Sequence, residues 1–184
     1  MQSMSKTQLL ALNGVIAGTY AALTLAASAL NLAYGPVQFR FSEALTVLPF
    51  LFPGTWLGLF IGCLVANLLS PYGLVDIVVG SSATLLAALW TARVRNKWAA
   101  PFPPVLCNMV LVGGMIAWYE VGFTKAFPAL FGVNALWVGI GEAAVCYVLG
   151  MLLIRELPKV SCLRKFMSPQ AAGRDRKACM VLNG

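Results

Sequence analysis

The sequence predicts an all-α membrane protein, a bundle of six transmembrane helices. Of its 184 residues, 60% are hydrophobic and 10% are charged. Soluble domains average about 45–50% apolar and about 25% charged residues, so this composition excludes an ordinary soluble globule. It also excludes a disordered chain, which requires low hydrophobicity. The apolar residues fall into runs of helical length, separated by Pro, Gly and basic residues.

The first three helices are predicted over Leu9–Leu30, Ser42–Phe52 and Thr55–Leu69. The first has the roughly 20 apolar residues that a span needs, and it is too long for the apolar region of a typical signal peptide. The second is about a dozen residues long and covers only about 18 Å, so it cannot cross a bilayer alone. Pro53 and Gly54 separate it from the third helix.

The last three helices are predicted over Tyr72–Ala92, Pro103–Tyr119 and Phe131–Ile154. A basic loop around Arg93 precedes the fifth helix. From Arg155 onward the chain becomes polar and basic. We therefore expect two parts, a membrane domain over 1–157 and a basic cytoplasmic tail over 158–184.

Six spans place both termini on one side of the membrane, and the basic residues predict which side. With cytoplasmic termini, eleven of the thirteen Lys and Arg residues lie inside, and Arg40 and Lys125 lie outside. Cytoplasmic loops are enriched in Lys and Arg, so this asymmetry supports the orientation. We expect a multi-pass protein of the cell membrane.

Small residues recur at every fourth position in three helices. In the third they are Gly54, Gly58, Gly62 and Ala66, and in the fourth Gly80, Thr84, Ala88 and Ala92. Such stripes let helices approach closely in lipid, and in these two helices they predict packing within the chain. The first helix is richer in small residues than one buried face needs, so contact with an external partner is as plausible there as internal packing. Its candidate docking residues are Gly14, Ala17, Gly18, Ala21 and Ala22.

Seven polar or aromatic residues in the apolar segments form the predicted binding site. They are Arg40, Glu43, Asn67, Asp76, Asn108, Trp137 and Glu142. An ionised side chain at mid-bilayer costs about 2.5–3.5 kcal/mol on insertion scales, so such groups persist where they pair or bind something polar.

Each of these candidates also has a purely structural interpretation. Arg40 and Glu43 are three residues apart and could pair on one helical face. Asp76 lies near a helix N-terminus, where a negative charge is favourable. The two amides could join helices, and Glu142 could be a paired internal carboxylate. We expect the membrane-embedded carboxylates, including Glu120 beside its interfacial aromatic residues, to lie toward the outer side.

No pattern of catalytic or metal-binding residues is present. The chain has no His to serve as a general base, and no phosphate-binding loop or nucleophile elbow. The five Cys form no CxxC pair, and buried free thiols usually act as small hydrophobes. We therefore expect no enzyme activity, no bound metal and no cofactor.

Two stretches of the chain carry a family resemblance. YGPVQFRFSEALTVLPF, followed by PGTWLGLFIGCLVANLLSPYGLVDIVVGSSATLLAA, resembles the QueT-type queuosine-precursor transporters. These are substrate-binding (S) components of energy-coupling factor (ECF) transporters. The resemblance covers roughly residues 9–157, with the FR-x-SEA and LVANL…G-x-x-D-x-x-x-G elements as its most specific parts.

The resemblance implies a six-helix S component that works with a transmembrane scaffold subunit and two ATPase subunits, which bind the ATP. It implies an outward-facing pocket for a deazapurine, capped by the loop between the first two helices, and docking to the scaffold through the Ala-rich first helix. It implies no nucleic-acid partner.

The candidate residues suit a deazapurine. One carboxylate can accept both donors of a guanine-like edge, and a second can meet an aminomethyl cation. Trp137, Tyr34 or Phe39 could stack on the base, at about 1–3 kcal/mol per base. Two alternatives stay open. The chain could be an S component for another vitamin such as thiamine or riboflavin, or a structural membrane bundle without a ligand.

Overall fold

The computed structural model describes residues 4–33, 39–164 and 166–168, and in these residues it contains six main helices and no strand. The helices are α1 Lys6–Ala29, α2 Phe41–Leu51, α3 Trp56–Asn67, α4 Leu74–Thr91, α5 Phe102–Val121 and α6 Phe127–Val145. This confirms the all-α fold class and the predicted order of six helices. The orientation of the termini stays a prediction.

Four helical segments in the described part of the chain are long and apolar enough to cross a membrane. They contain α1, α4, α5 and α6. The helices α2 and α3 are shorter, and the break at Pro53 and Gly54 separates them as predicted. The sequence-based boundaries differ from the observed ones by a few residues at most helix ends.

Two helical segments depart from α geometry, and they pack against each other. The first part of α2, Phe41–Val47, is a 3-10 helix, and only Leu48–Leu51 is α-helical. The chain leaves α6 through a π-helical segment, Cys146–Gly150, before Met151–Glu156 resumes the α-helix. Long 3-10 runs are uncommon, and π segments occur frequently at functional sites.

The helices pack in chain order around the short α2. α1 packs on α3, α3 on α4, α4 on α5 and α5 on α6. The 3-10 part of α2 contacts α1, α4 and the π segment, so α2 lies inside the bundle. Its Val47 and Leu51 are fully buried.

A close contact joins α1 to α3 through the predicted glycine stripe. A Cβ atom at Gly58 would lie 2.9 Å from the Cα of Asn13, and one at Gly62 would lie 2.8 Å from the carbonyl oxygen of Ala17. The Asn13 carboxamide donates to the Gly54 carbonyl at 3.1 Å and accepts from the Gly58 amide at 2.6 Å. The Gly58 amide lies in the first turn of α3, where an amide has no acceptor within its own helix. Asn13 of α1 supplies that acceptor.

The described part of the C-terminal segment folds back onto α2. Met167 is buried in the core, and the Ser168 amide donates to the Leu51 carbonyl at 2.8 Å. The Ser168 hydroxyl donates to the Phe50 carbonyl, also at 2.8 Å. The expected domain boundary after Leu157 stays a prediction, and residues 169–184 of the tail lie outside the described residues.

Candidate functional site

Six of the seven predicted site residues fall into two buried polar clusters, which α2 connects. The first, here called the arginine cluster, contains Arg40, Asn67, Ser70 and Asp76. Arg40 Nη2 donates to Asn67 Oδ1 at 2.8 Å and lies 3.4 Å from Asp76 Oδ2. Asp76 Oδ2 also accepts from the Ser70 hydroxyl at 2.5 Å. The cluster fastens the start of α2 to the turn between α3 and α4.

Two glycines explain how the arginine cluster fits. Gly73 precedes α4 with a φ of +60°, a conformation in which a side chain would be strained. Gly80 lies directly over the cluster, where an added Cβ would be 2.8 Å from Asn67 Nδ2 and would also meet Asp76 Oδ1. The G-x-x-D-x-x-x-G spacing in this chain thus has a steric basis, since the second glycine leaves room for the amide and the carboxylate.

The second group, here called the carboxyl cluster, contains Tyr20, Glu43, Asn108 and Glu142. The Tyr20 hydroxyl donates to Glu43 Oε1, and Asn108 Nδ2 donates to Glu142 Oε1 at 2.9 Å. Both carboxyl groups are almost completely buried, with Glu43 1% and Glu142 4% exposed. Cys146 Sγ lies 3.4 Å from the Glu43 carbonyl oxygen and 3.5 Å from Glu142 Oε1, so the two glutamates are neighbours. Four different helices, α1, α2, α5 and α6, supply the four side chains.

The Glu43 carboxyl group can accept a further hydrogen bond. Its Oε2 atom is buried and has no hydrogen-bond partner among the residues that the structure describes. An unsatisfied buried acceptor costs about 1–3 kcal/mol, and more when it is charged. Such an atom is a reasonable acceptor for a ligand donor, and the cluster as a whole is rich in acceptors.

Glu142 lies beside the first half of α5. Tyr72, just before α4, contacts Tyr119, near the end of α5, so the start of α4 and the end of α5 share one end of the bundle. Asn108, which donates to Glu142, lies in the second turn of α5, about 9 Å from its start. The expectation that the embedded carboxylates lie toward the outer side of the membrane stays a prediction.

Trp137 lies apart from both clusters, with 44% of its surface exposed. At about 100° per residue, Trp137 and Glu142 point about 140° apart around α6, so one buried face cannot hold both. Asn134, one helical turn before Trp137, is buried and donates to Glu120 Oε2 at 3.1 Å, away from the carboxyl cluster. Of the other candidate stacking residues, Tyr34 lies outside the described residues and Phe39 is partly buried.

The Tyr72 hydroxyl lies near two carboxylates. Partial burial raises the pKa of the Tyr72 hydroxyl, and the nearby negative charges of Glu120 and Asp76 raise it further, whereas the charge of Arg40 lowers it.

Sequence reasoning missed two contributors to the clusters, Tyr20 and Ser70. Both carry hydroxyl groups in segments that are otherwise apolar, a weak signal because such residues are common in membrane helices. Tyr20 could have been noticed as the single tyrosine of α1. A related hydrogen bond joins Thr24 to Ser42 at 2.7 Å, one helical turn from Tyr20.

The five candidate docking residues of α1 divide between two faces. A Cβ at Gly14 or Gly18 would meet nothing within 4 Å. Ala22 is exposed on the same face, whereas Ala17 and Ala21 are partly buried. The open face of α1 therefore contains Gly14, Gly18 and Ala22, and Ala17 lies against α3 at Gly62.

Comparisons with known proteins identify the family of this chain. Residues 10–159 match the QueT transporter family. The Queuosine precursor transporter QueT of Lactococcus lactis subsp. cremoris (strain MG1363) is 35% identical over 82 residues, which are 45% of this chain. The match spans about half of that relative, 48% of its length. No solved structure matches. The family match covers most of the helical bundle and both polar clusters, and the chain belongs to the QueT transporter family.

Proposed function

We propose that this chain is the membrane substrate-binding component of an ECF-type importer and that it takes up a queuosine precursor or a related deazapurine. Membership of the QueT transporter family supports transport rather than catalysis. The name of the Lactococcus relative supports the substrate class. The observation that carries the proposal is the buried, acceptor-rich carboxyl cluster with the unpartnered Glu43 Oε2.

The chemistry of a deazaguanine base complements this cluster. Its Watson–Crick edge presents an N–H and an adjacent amino group, which a carboxylate accepts in a charge-assisted pair. The Asn108 carboxamide, which already donates to Glu142 at 2.9 Å, has a second N–H for a ring carbonyl. We assign ligand contact to Glu43, Asn108 and Glu142.

The arginine cluster has a different proposed role. Arg40 and Asp76 form an ion pair with nitrogen and oxygen 3.4 Å apart, so their charges compensate each other. We assign Arg40, Asn67 and Asp76 to holding the start of α2 in place beside the loop that caps the site. In that position they orient Glu43, which lies three residues after Arg40.

Transport requires partners, and the proposal includes them. A transmembrane scaffold subunit docks on the open face of α1, and two ATPase subunits bind and hydrolyse ATP, so this chain needs no cofactor. The residues 1–157 form the membrane domain in the cell membrane, with cytoplasmic termini and a basic tail over 158–184. Clustered basic residues at the cytoplasmic surface are attracted to anionic lipids.

Ligand binding by the purified chain tests this function. A deazaguanine should raise its unfolding temperature, because a ligand that binds only the folded state stabilises it. Glu43→Ala and Glu142→Ala should each weaken binding by more than about tenfold, the loss expected for a charge-assisted hydrogen bond. Glu120→Ala is the matched control, since Glu120 is a carboxylate of α5 that bonds Asn134 outside the cluster.

Two results would contradict the proposal in different ways. Stabilisation by thiamine or riboflavin, with none by a deazaguanine, would contradict the proposed substrate. It would still agree with a substrate-binding component of an importer. Normal deazaguanine binding by both Glu43→Ala and Glu142→Ala would show that the binding site lies elsewhere in the bundle.

A further inference from the structure

The buried charges of the two clusters do not balance. Among the residues that the structure describes, Arg40 is the sole buried cation, and Glu43, Asp76 and Glu142 are the buried acids. Arg40 is paired with Asp76 at 3.4 Å. Glu43 and Glu142 are neighbours through Cys146 and have hydrogen-bond donors from Tyr20 and Asn108, and neither forms an ion pair among the described residues.

Two carboxylates that share a site in a poorly polarisable environment cannot both ionise without a large repulsion. The repulsion is stronger in the interior of a membrane bundle, where water does not screen it. A proton shared between the two groups relieves it, and so does a bound cation. The unpartnered Glu43 Oε2 is the atom at which either can sit.

We propose that Glu43 and Glu142 hold one proton between them in the ligand-free protein and that the ammonium group of a cationic deazapurine replaces it. This rests on the proposed function and names the ligand class more closely, an aminomethyl base rather than a neutral one. The charges balance, because the singly protonated pair and the ammonium become two carboxylates, the bound ammonium and one released proton.

Glu43 comes from α2 and Glu142 from α6, so the two carboxyl groups reach the cluster from different elements. An ammonium has three N–H donors around one charge and suits separate acceptors, whereas a planar donor pair suits the two oxygens of one carboxylate.

Other titratable groups surround the pair and must be considered in its proton balance. They are Tyr20 from α1, Cys63 from α3, Asp76 from α4, Cys107 from α5, Cys146 from the π segment, and Arg40 at the start of α2. Tyr20 and Cys146 donate hydrogen bonds to the pair, and Arg40 is engaged by Asp76. The two glutamates are therefore the groups that exchange the proton.

Calorimetry of the full chain in lipid nanodiscs tests the exchange. Aminomethyl-deazaguanine and the neutral cyano-deazaguanine are titrated at one pH in buffers of different ionisation enthalpy, which gives the number of protons released. We expect about one proton per aminomethyl ligand and none per cyano ligand. The Kd of the aminomethyl ligand should also fall by up to about tenfold per unit rise in pH where the shared proton titrates.

Isosteric variants identify the groups involved. Glu43→Gln and Glu142→Gln should each abolish the proton release and weaken aminomethyl binding more than cyano binding. Glu120→Gln, remote from the pair, should change neither quantity. Proton release that persists in both cluster variants would overturn the proposal, and so would binding of the aminomethyl ligand by the wild type without release.

A measurement without ligand separates this inference from the proposed function. Infrared spectroscopy should show the band of a buried protonated carboxyl group in the wild type and its loss in Glu142→Gln or Glu43→Gln. If neither deazaguanine binds, the proposed function and the exchange both fail, and the infrared band then reports on the shared proton alone. If a deazaguanine binds but the band is absent, the inference fails and the proposed function stands.

Discussion

Tyr20 donates a hydrogen bond to one oxygen of Glu43 and leaves the other oxygen able to accept one, so it sets the orientation of the Glu43 carboxyl group. Its side chain is completely buried, and its hydroxyl donates to Glu43 Oε1. A residue of the first helix thus positions a carboxylate of the second. At the scale of single residues, this is the contact on which the candidate site most depends.

Tyr20→Phe tests this positioning role. Removing the hydroxyl takes away the donor of Glu43 Oε1, while Oε2 already lacks one. We expect a loss of about 1–3 kcal/mol in unfolding free energy. We expect weaker deazaguanine binding and a lower unfolding temperature, measured by calorimetry and thermal unfolding. Tyr147→Phe is the control, because Tyr147 is exposed on the π segment. Equal effects of the two substitutions would argue against a specific role.

Gly80→Ala tests the steric basis of the arginine cluster. The new methyl group would press on Asn67 Nδ2 and Asp76 Oδ1, so we expect lower stability and loosened anchoring of Arg40. Gly132→Ala is the matched control, since a Cβ there meets nothing within 4 Å. An alanine at an open helical site should be neutral or stabilise by up to about 1 kcal/mol. Thermal unfolding of both variants separates the two cases.

The sequence identified much of the site because charges and amides are conspicuous in apolar runs. Arg40, Glu43, Asn67 and Asp76 were predicted in this way, and the structure brings Arg40, Asn67 and Asp76 together. Tyr20 could not be predicted with confidence, since its partner comes from another helix. Trp137 lies apart from both clusters, because a spacing of five residues turns it about 140° around α6 from Glu142. Its contact with a ligand stays a prediction.

At the scale of helices, the contact between α1 and α3 is built from two features at once. Gly58 and Gly62 let the two helix backbones approach closely. Asn13 accepts the hydrogen bond of the Gly58 amide at the start of α3. The glycine stripe predicted the approach. The cap from Asn13 was not predictable from the local sequence, because the amide that it serves lies 45 residues away.

Asn13→Leu should destabilise the α1–α3 pair. In a membrane interior no water replaces the lost acceptor, and the Gly58 amide and Gly54 carbonyl lose their partner. We expect a loss of about 1–3 kcal/mol in unfolding free energy, measured by denaturant titration in detergent. Thr19→Leu on the exposed side of the same helix should be near neutral. A neutral Asn13→Leu would show that the cap contributes nothing.

At the scale of the whole molecule, α1 is the least buried of the long helices. Only 22% of the most apolar stretch of α1 is buried. In the other three segments that are long enough to span a membrane, 44–50% of that stretch is buried. Composition and run lengths were enough to predict the six-helix fold. They could not predict which face of α1 stays open, because that depends on where α3 packs.

Gly18→Leu tests whether this open face receives the proposed scaffold. A leucine there leaves the interior unchanged, since a Cβ at Gly18 meets nothing within 4 Å, but it blocks close approach from outside. We expect normal deazaguanine binding and loss of co-purification with the ATPase and scaffold subunits. Gly132→Leu, on a comparably open site of α6, should leave assembly intact. Retained assembly in Gly18→Leu would exclude this face.

The contact of Ser168 with the end of α2 has a consequence for the order in which the protein forms. The carbonyls of Phe50 and Leu51 receive hydrogen bonds from a residue synthesised more than a hundred positions later. While the ribosome is still translating, these carbonyls lack that partner and the short helix is incompletely seated. The final packing of this helix, and with it the position of Glu43, therefore follows the synthesis of Ser168.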